Sequence, residues 1–241
     1  MRSPILLVHG AFGQAANFEP WLHYFRNAGY PSKAVSLPGH GPSDEAVLRR
    51  LTLADCLAAI GEVAAKFDRP PVVVGHSMGG LLAMMLAAEA ECAGLVTIAA
   101  PAPHRLPAQY SGFRYAVPHI GRILAGLPVR PIPEAIRALV THDLSPAESE
   151  DVIAQTGMES GRVLRQLAFA DTEIALETIR CPVLCLSGGG DRVVPRTAGY
   201  RIAAATIAEH IVFPGHGHWL IAASLVGKVA AAVKDWLDRH V

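Results

Sequence analysis

Charge is scarce in this sequence and balanced where it occurs: 17% of residues are charged, with 21 Lys plus Arg against 21 Asp plus Glu. No net field therefore draws the chain to a polyanion. Runs of basic residues and basic–aromatic interleaving are missing as well, which argues against nucleic-acid binding. Cysteine is also sparse, at Cys56, Cys92, Cys181 and Cys185. The last two lie in "CPVLCLSG", which reads as a strand and sets them roughly 13 Å apart, beyond the reach of about 7 Å that a disulfide allows. A strand cannot bring such a pair onto one zinc ion either. All four read as reduced thiols of a cytoplasmic protein. The opening "MRSPILLVHGAF" lacks the long apolar segment and cleavage site of a secretory signal. No apolar stretch approaches the roughly 20 residues of a membrane span. The histidines show no metal-ligand spacing, so neither a metal nor another cofactor is expected. Repeats and low-complexity tracts are absent.

What is abundant is apolar material, 51% of 241 residues, enough for a core with two faces in a single α/β domain carrying one insertion. Short β-rich runs alternate with longer helical patterns, the rhythm of βα units on a mostly parallel sheet. "ILLVH" is a strand buried on both faces. A helix follows in "NFEPWLHYFRNAG", with Asn17 as its N-cap and Gly29 as its stop. "AVSL" reads as the next strand, Thr52 to about Phe67 as an amphipathic helix, then "VVVG", "LLAMMLAAEA" and "GLVTIAA" as strand, helix and strand. From about Pro101 to Arg180 the alternation stops, prolines recur and short helical patches take over, one starting at Ser145–Pro146. It resumes with "CPVLCLSGGGDRVVP", a helix near Arg196–Ile207, the strand "HIVFPG" and a closing helix. The reading is a core over 1–103 and 176–241 with a helical insertion over 104–175.

The run "VVVGHSMGGLLAMM" passes from strand to helix through Gly-x-Ser-x-Gly. So sharp a turn strains the serine backbone and holds Ser77 outward, while Gly75 and Gly79 are the sizes that fit beside it. The following helix points its positive end at the hydroxyl. A serine hydroxyl is a weak nucleophile unless a base removes its proton and a third group orients that base. Asp191 and His218 each follow a predicted strand, and the order Ser…Asp…His suits that need. His216 competes for the base, with Gly217 favouring His218; His76 reads as a packed core histidine and His9 as a loop anchor. An oxyanion needs two N–H donors. The turn offers Met78, and the loop "HGAF" offers Ala11 or Phe12.

With "HGAF", "LPGHGPS", "GHSMGG", "GGGDRVVP" and "GHGHWL" in this order along essentially the whole length, the chain resembles the α/β-hydrolase superfamily. The resemblance implies an α/β-hydrolase fold: a mostly parallel sheet of about six strands flanked by helices, with the insertion as a helical cap. The antiparallel strands that open many members are missing. It further implies a Ser77–His218–Asp191 triad and an oxyanion hole at Met78 and Ala11. The expected activity is cleavage of a carboxylic ester of a small or medium-sized apolar molecule, with the ester and water as the only partners. Thioester, lactone and carbon–carbon bond hydrolysis use the same groups, and a ligand-binding protein on this fold is the rival from another class. Tyr110, Phe113, Tyr115 and Phe169 are candidate cap-pocket lining, or equally cap core.

Overall fold

In the computed structural model, residues 2–42, 44–103, 115–169 and 173–241 are described, Phe169 by its backbone only. Six strands form one sheet: β1 Ile5–Val8, β2 Ser32–Val35, β3 Val72–His76, β4 Gly94–Ile98, β5 Val183–Gly188 and β6 Glu209–Phe213. Their order is β2-β1-β3-β4-β5-β6 and every neighbouring pair is parallel. The four inner strands are buried at every position, whereas the edge strands β2 and β6 are partly exposed. This is why "ILLV" and "VVVGH" read as continuous apolar runs: both faces of a parallel sheet carry helices.

Alternation along each strand feeds two cores. Leu6, Val8 and Val73 enter one, with residues of the helices Leu53–Ala64, Met78–Glu89 and Thr197–Thr206. Ile5, Leu7, Val72 and Val74 enter the other, against Glu19–Asn27 and Val226–His240, whose Trp21 and Trp236 are fully buried. Helix Met78–Glu89 is buried almost all round, so it has no polar face to turn to water. Replacing its fully buried Leu82 by alanine costs about 2–5 kcal/mol.

The local signals hold with three adjustments. Thr52 and Ser145 cap their helices, and Gly29 at φ 80° ends the first one. Asn17, however, belongs to a 3-10 turn Ala15–Phe18, where its side chain accepts the Gln14 N–H; the first helix starts after Phe18 with no side-chain cap. Strand β2 begins two residues before "AVSL", and Cys181 precedes β5 rather than lying on it. Between β4 and β5 the described residues hold short helical pieces, then Pro146–Gln155 and Gly161–Phe169, with one antiparallel bridge joining Val129 to Glu159. Tyr110, Phe113 and the Phe169 side chain lie outside the described residues. The four cysteines are free, and no helix among the described residues is long and apolar enough to cross a membrane.

The chain runs outward from β1 to β2, then returns past β1 to continue through β3, β4, β5 and β6. The carboxyl ends of β1 and β3 therefore flank a point where the winding reverses, which is where open α/β sheets form a crevice.

Candidate active site

Ser77 sits at that point, immediately after β3, with φ 54° and ψ −122°. A left-handed conformation is uncommon for a residue with a side chain. It persists because the surroundings hold it: the Ser77 N–H donates to the Ile98 carbonyl at 2.8 Å. The two glycines are obligatory in space rather than in dihedral angle. A Cβ on Gly75 would lie 2.1 Å from the Gly79 carbonyl oxygen, and one on Gly79 would lie 2.2 Å from that of Val8. Met78 opens the helix, so its N–H has no partner within it and faces outward with the positive end of the helix dipole.

The loop after β1 passes directly over the serine, since a Cβ on Gly10 would come within 2.9 Å of Ser77 Cβ. The two candidate N–H donors of this loop differ. Phe12, itself at φ 64°, donates its N–H to the Glu159 carboxylate at 3.2 Å. The N–H of Ala11 has no hydrogen-bond partner among the described residues. The loop is anchored below by His9, as expected of it. His9 Nε2 accepts the Leu37 N–H at 3.0 Å, so Nδ1 carries the proton and donates to the Gly10 carbonyl at 2.8 Å. Burial holds this ring neutral, with its pKa lowered to about 3.

Asp191 and His218 arrive from the ends of β5 and β6 and meet: His218 Nδ1 and Asp191 Oδ2 are 2.8 Å apart, with side chains 5% and 1% exposed. Asp191 Oδ1 accepts the N–H groups of Val193 and Val194. Burial pushes this carboxyl upward, but the neighbouring imidazole and those N–H donors outweigh it and leave its pKa below the ordinary value. His76, the residue before the serine, packs against this pair. Its Nε2–H donates to the His218 carbonyl at 3.0 Å, and its ring packs on those of His218 and Trp219 at 5.0 and 5.1 Å. Buried and held neutral at a pKa of about 3, it behaves as the packed histidine expected. No hydrogen bond joins Ser77 Oγ to His218 Nε2 among the described residues; such nucleophile–base contacts often tighten only when substrate binds.

His216 faces elsewhere, with Nδ1 3.5 Å from Asp143 and Nε2 3.1 Å from the Lys228 ammonium. Gly217 turns out to matter for packing, because a Cβ there would lie 2.5 Å from Asp143 Oδ1. Burial drives the Cys56 and Cys92 thiols up to about 12 and Cys185 to about 11, which leaves them poor nucleophiles. Among the described residues no group of three or more His, Cys, Asp or Glu is placed to hold a metal ion. Three residues were not singled out as functional from the sequence: Glu159 and His40, a wholly buried pair at 3.0 Å, and Asp143, which accepts the Gly217 N–H at 2.8 Å. His40 was visible only as part of a turn, and the two carboxylates lie between β4 and β5, where no periodicity marks them.

Comparison with known proteins agrees with this fold. A pimeloyl-[acyl-carrier protein] methyl ester esterase of Neisseria meningitidis is 29% identical over 239 residues, covering 88% of this chain and 87% of the relative. Human monoglyceride lipase is 25% identical over 208 residues, covering 81% of this chain and 67% of the relative. Among solved structures, a soluble variant of the monoglyceride lipase of Saccharomyces cerevisiae superposes with a TM-score of 0.81 at 16% identity, covering 100% of this chain and 87% of that one. A monoacylglycerol lipase of Paleococcus ferrophilus gives 0.73 at 22% identity, covering 100% and 97%. The family model described as "Alpha/beta hydrolase family" matches residues 5–232. The chain belongs to the alpha/beta hydrolase family.

Proposed function

We propose that the protein is a serine hydrolase that cleaves a carboxylic ester of a small or medium-sized apolar molecule through an acyl-enzyme. The observations that carry this reading are the strained Ser77 at a helix N-terminus and a buried Asp191–His218 pair, whose imidazole packs on the ring of His76, the residue next to that serine. Ser77 Oγ attacks the ester carbonyl while His218 Nε2 takes its proton. Asp191, bonded to Nδ1, holds the ring in the tautomer that leaves Nε2 free to accept, and stabilises the imidazolium that forms. The N–H groups of Met78 and Ala11 receive the oxyanion, with Phe12 set aside because its N–H is already given to Glu159. His218 returns the proton to the departing alcohol, then activates a water that releases the acid and frees the serine.

The segment 104–175 acts as the cap that shapes the acyl and alcohol pockets, with a small-molecule ester and water as the partners. The esterase and lipase names of the relatives support an ester over a thioester, a lactone or a carbon–carbon bond. The four free thiols suit a cytoplasmic protein. The test is hydrolysis of p-nitrophenyl esters of increasing acyl length, alongside labelling by a fluorophosphonate. Ser77→Ala should lower kcat by about 10⁴-fold or more and abolish labelling. Ester cleavage at near wild-type rate in that variant would end the proposal.

A further inference from the structure

Glu159 belongs to the insertion, yet its carboxylate is spent on the core. Its backbone is fixed first: the Glu159 N–H donates to the Val129 carbonyl and its own carbonyl accepts the Val129 N–H, both at 2.8 Å. From that rigid base the side chain reaches into a fully closed space between the loops that follow β1 and β2. One oxygen accepts the Ser160 N–H at 2.8 Å; the other accepts the Phe12 N–H at 3.2 Å and faces His40 Nε2 at 3.0 Å. Two residues earlier, the Gly157 N–H donates to the Phe12 carbonyl at 2.8 Å. The Phe12 N–H and carbonyl are thus both taken by residues 157–159, which holds a left-handed φ of 64° that a phenylalanine would not keep unaided.

A buried carboxylate needs a compensating charge, and the geometry identifies it. Both nitrogens of His40 face acceptors: Nδ1 the Pro38 carbonyl at 3.1 Å and Nε2 the Glu159 carboxylate. With the carboxyl ionised, satisfying both requires both protons on the ring, which makes His40 the imidazolium partner. Its other neighbour, the His9 ring at 5.1 Å, is neutral and adds no opposing charge.

We propose that Glu159, charge-compensated by His40, is a positioning residue for the oxyanion hole. By taking the Phe12 N–H and fixing the adjoining peptides, it leaves the Ala11 N–H, rather than that of Phe12, unpaired for the oxyanion and holds that donor over Ser77. The claim rests on the ester-hydrolase reading for its kinetic consequence, though the brace itself is a matter of structure. The insertion is then part of the reaction machinery as well as a cover.

The test uses the full chain and three variants. Glu159→Met removes the acceptor while keeping the volume. Glu159→Met with His40→Phe also removes the unpaired imidazole and serves if the single variant folds poorly. Glu159→Gln keeps an acceptor for the Phe12 N–H. We expect kcat per folded enzyme to fall about 10- to 100-fold in the Met variants, with KM within about threefold. Binding of an aryl trifluoromethyl ketone, whose Ser77 adduct places an oxyanion in the hole, should weaken by the factor that kcat/KM loses. Glu159→Gln should recover most of the rate. Amide exchange of the peptide spanning Gly10–Gly13 should quicken in the Met variants, and not in Ser77→Ala. Unchanged kcat in a folded Met variant overturns the proposal, as does lowered stability with unchanged inhibitor affinity. A Glu159→Gln loss equal to that of Glu159→Met overturns it too, since charge alone would then be at work. If wild-type enzyme cleaves no ester and Ser77 takes no label, the ester reading fails while the exchange difference still decides the brace.

Discussion

Two buried carboxylate–imidazole pairs lie among the described residues, and they are chemically the same object in two settings. Asp191 meets His218 at 2.8 Å and Glu159 meets His40 at 3.0 Å, all four side chains at most 5% exposed. Each carboxylate also accepts backbone N–H groups: Val193 and Val194 for Asp191, Phe12 and Ser160 for Glu159. The difference is what the second ring nitrogen faces. For His40 it is the Pro38 carbonyl, which can only accept and so fixes a proton there. Nε2 of His218 has no such acceptor fixed on it among the described residues, and is the nitrogen assigned to the Ser77 hydroxyl. A carboxylate beside an imidazole therefore does not make a base; the group beyond the ring decides whether the pair moves protons or only holds charge.

Exchanging the carboxylate in each pair separates these roles. Asp191→Asn leaves an acceptor for the Val193 and Val194 N–H groups but lets the His218 ring take the wrong tautomer. We expect kcat to fall about 10⁴-fold, with a melting temperature close to wild type and weak fluorophosphonate labelling. His40→Leu is the counterpart in the other pair. It strands the Glu159 carboxylate without its cation, and a broken buried pair of this kind costs about 3–5 kcal/mol. Thermal or urea unfolding should register that loss, and it should exceed the loss in Asp191→Asn.

The contrast also explains what could be read from the residues alone. Ser77, Asp191 and His218 follow strands that announce themselves by apolar runs, and their neighbours are glycines whose missing side chains leave a visible pattern. The sheet was legible for the same reason, because full burial of β1, β3, β4 and β5 favours runs dominated by Val, Leu and Ile. Glu159 and His40 carry no such mark. They are 119 positions apart and meet only once the segment between β4 and β5 is folded against the loop that follows β2, and "GMESG" looks like any polar loop. Gly217 was legible as important, but its reason was not: the crowding comes from Asp143, also between β4 and β5. Asn17 misled because an Asx residue ahead of a helical pattern serves equally well inside a 3-10 turn.

A smaller effect separates the pairs by pH. The folded pKa of His40 is raised: burial lowers it, but the hydrogen bond and charge of Glu159 outweigh that. Its contribution is complete below the unfolded value of about 6.5 and is lost as pH rises through the folded value. His9 and His76 act in the opposite sense. With folded values of about 3, they favour the native state above about 6.5 and withdraw that support as pH falls toward 3. Asp191, whose pKa is lowered, adds to the acid-side loss below about 3.9. Unfolding free energy measured against pH should therefore decline on both sides of neutrality, by up to about 1.4 kcal/mol per pH unit for each ring. In Glu159→Gln the alkaline decline should flatten and the acid one remain. An alkaline slope that survives that substitution would show that His40 is not the charged partner.

The smallest effect is expected at His216, two residues from the base and equal to it in chemistry. Its ring is 24% exposed and faces Asp143 and Lys228, contacts that at such a surface are worth about 0–1 kcal/mol. Asp143 keeps its bond to the Gly217 N–H whether or not the imidazole is present, so the backbone that carries His218 should stay where it is. His216→Ala should accordingly retain kcat and KM within about twofold, whereas Asp143→Ala, which frees that N–H, should cost kcat several-fold more. Were His216→Ala the more damaging of the two on p-nitrophenyl ester turnover, the base would have to be reassigned. The Asp191–His218 pair would then be a charge-holding pair like the one at Glu159.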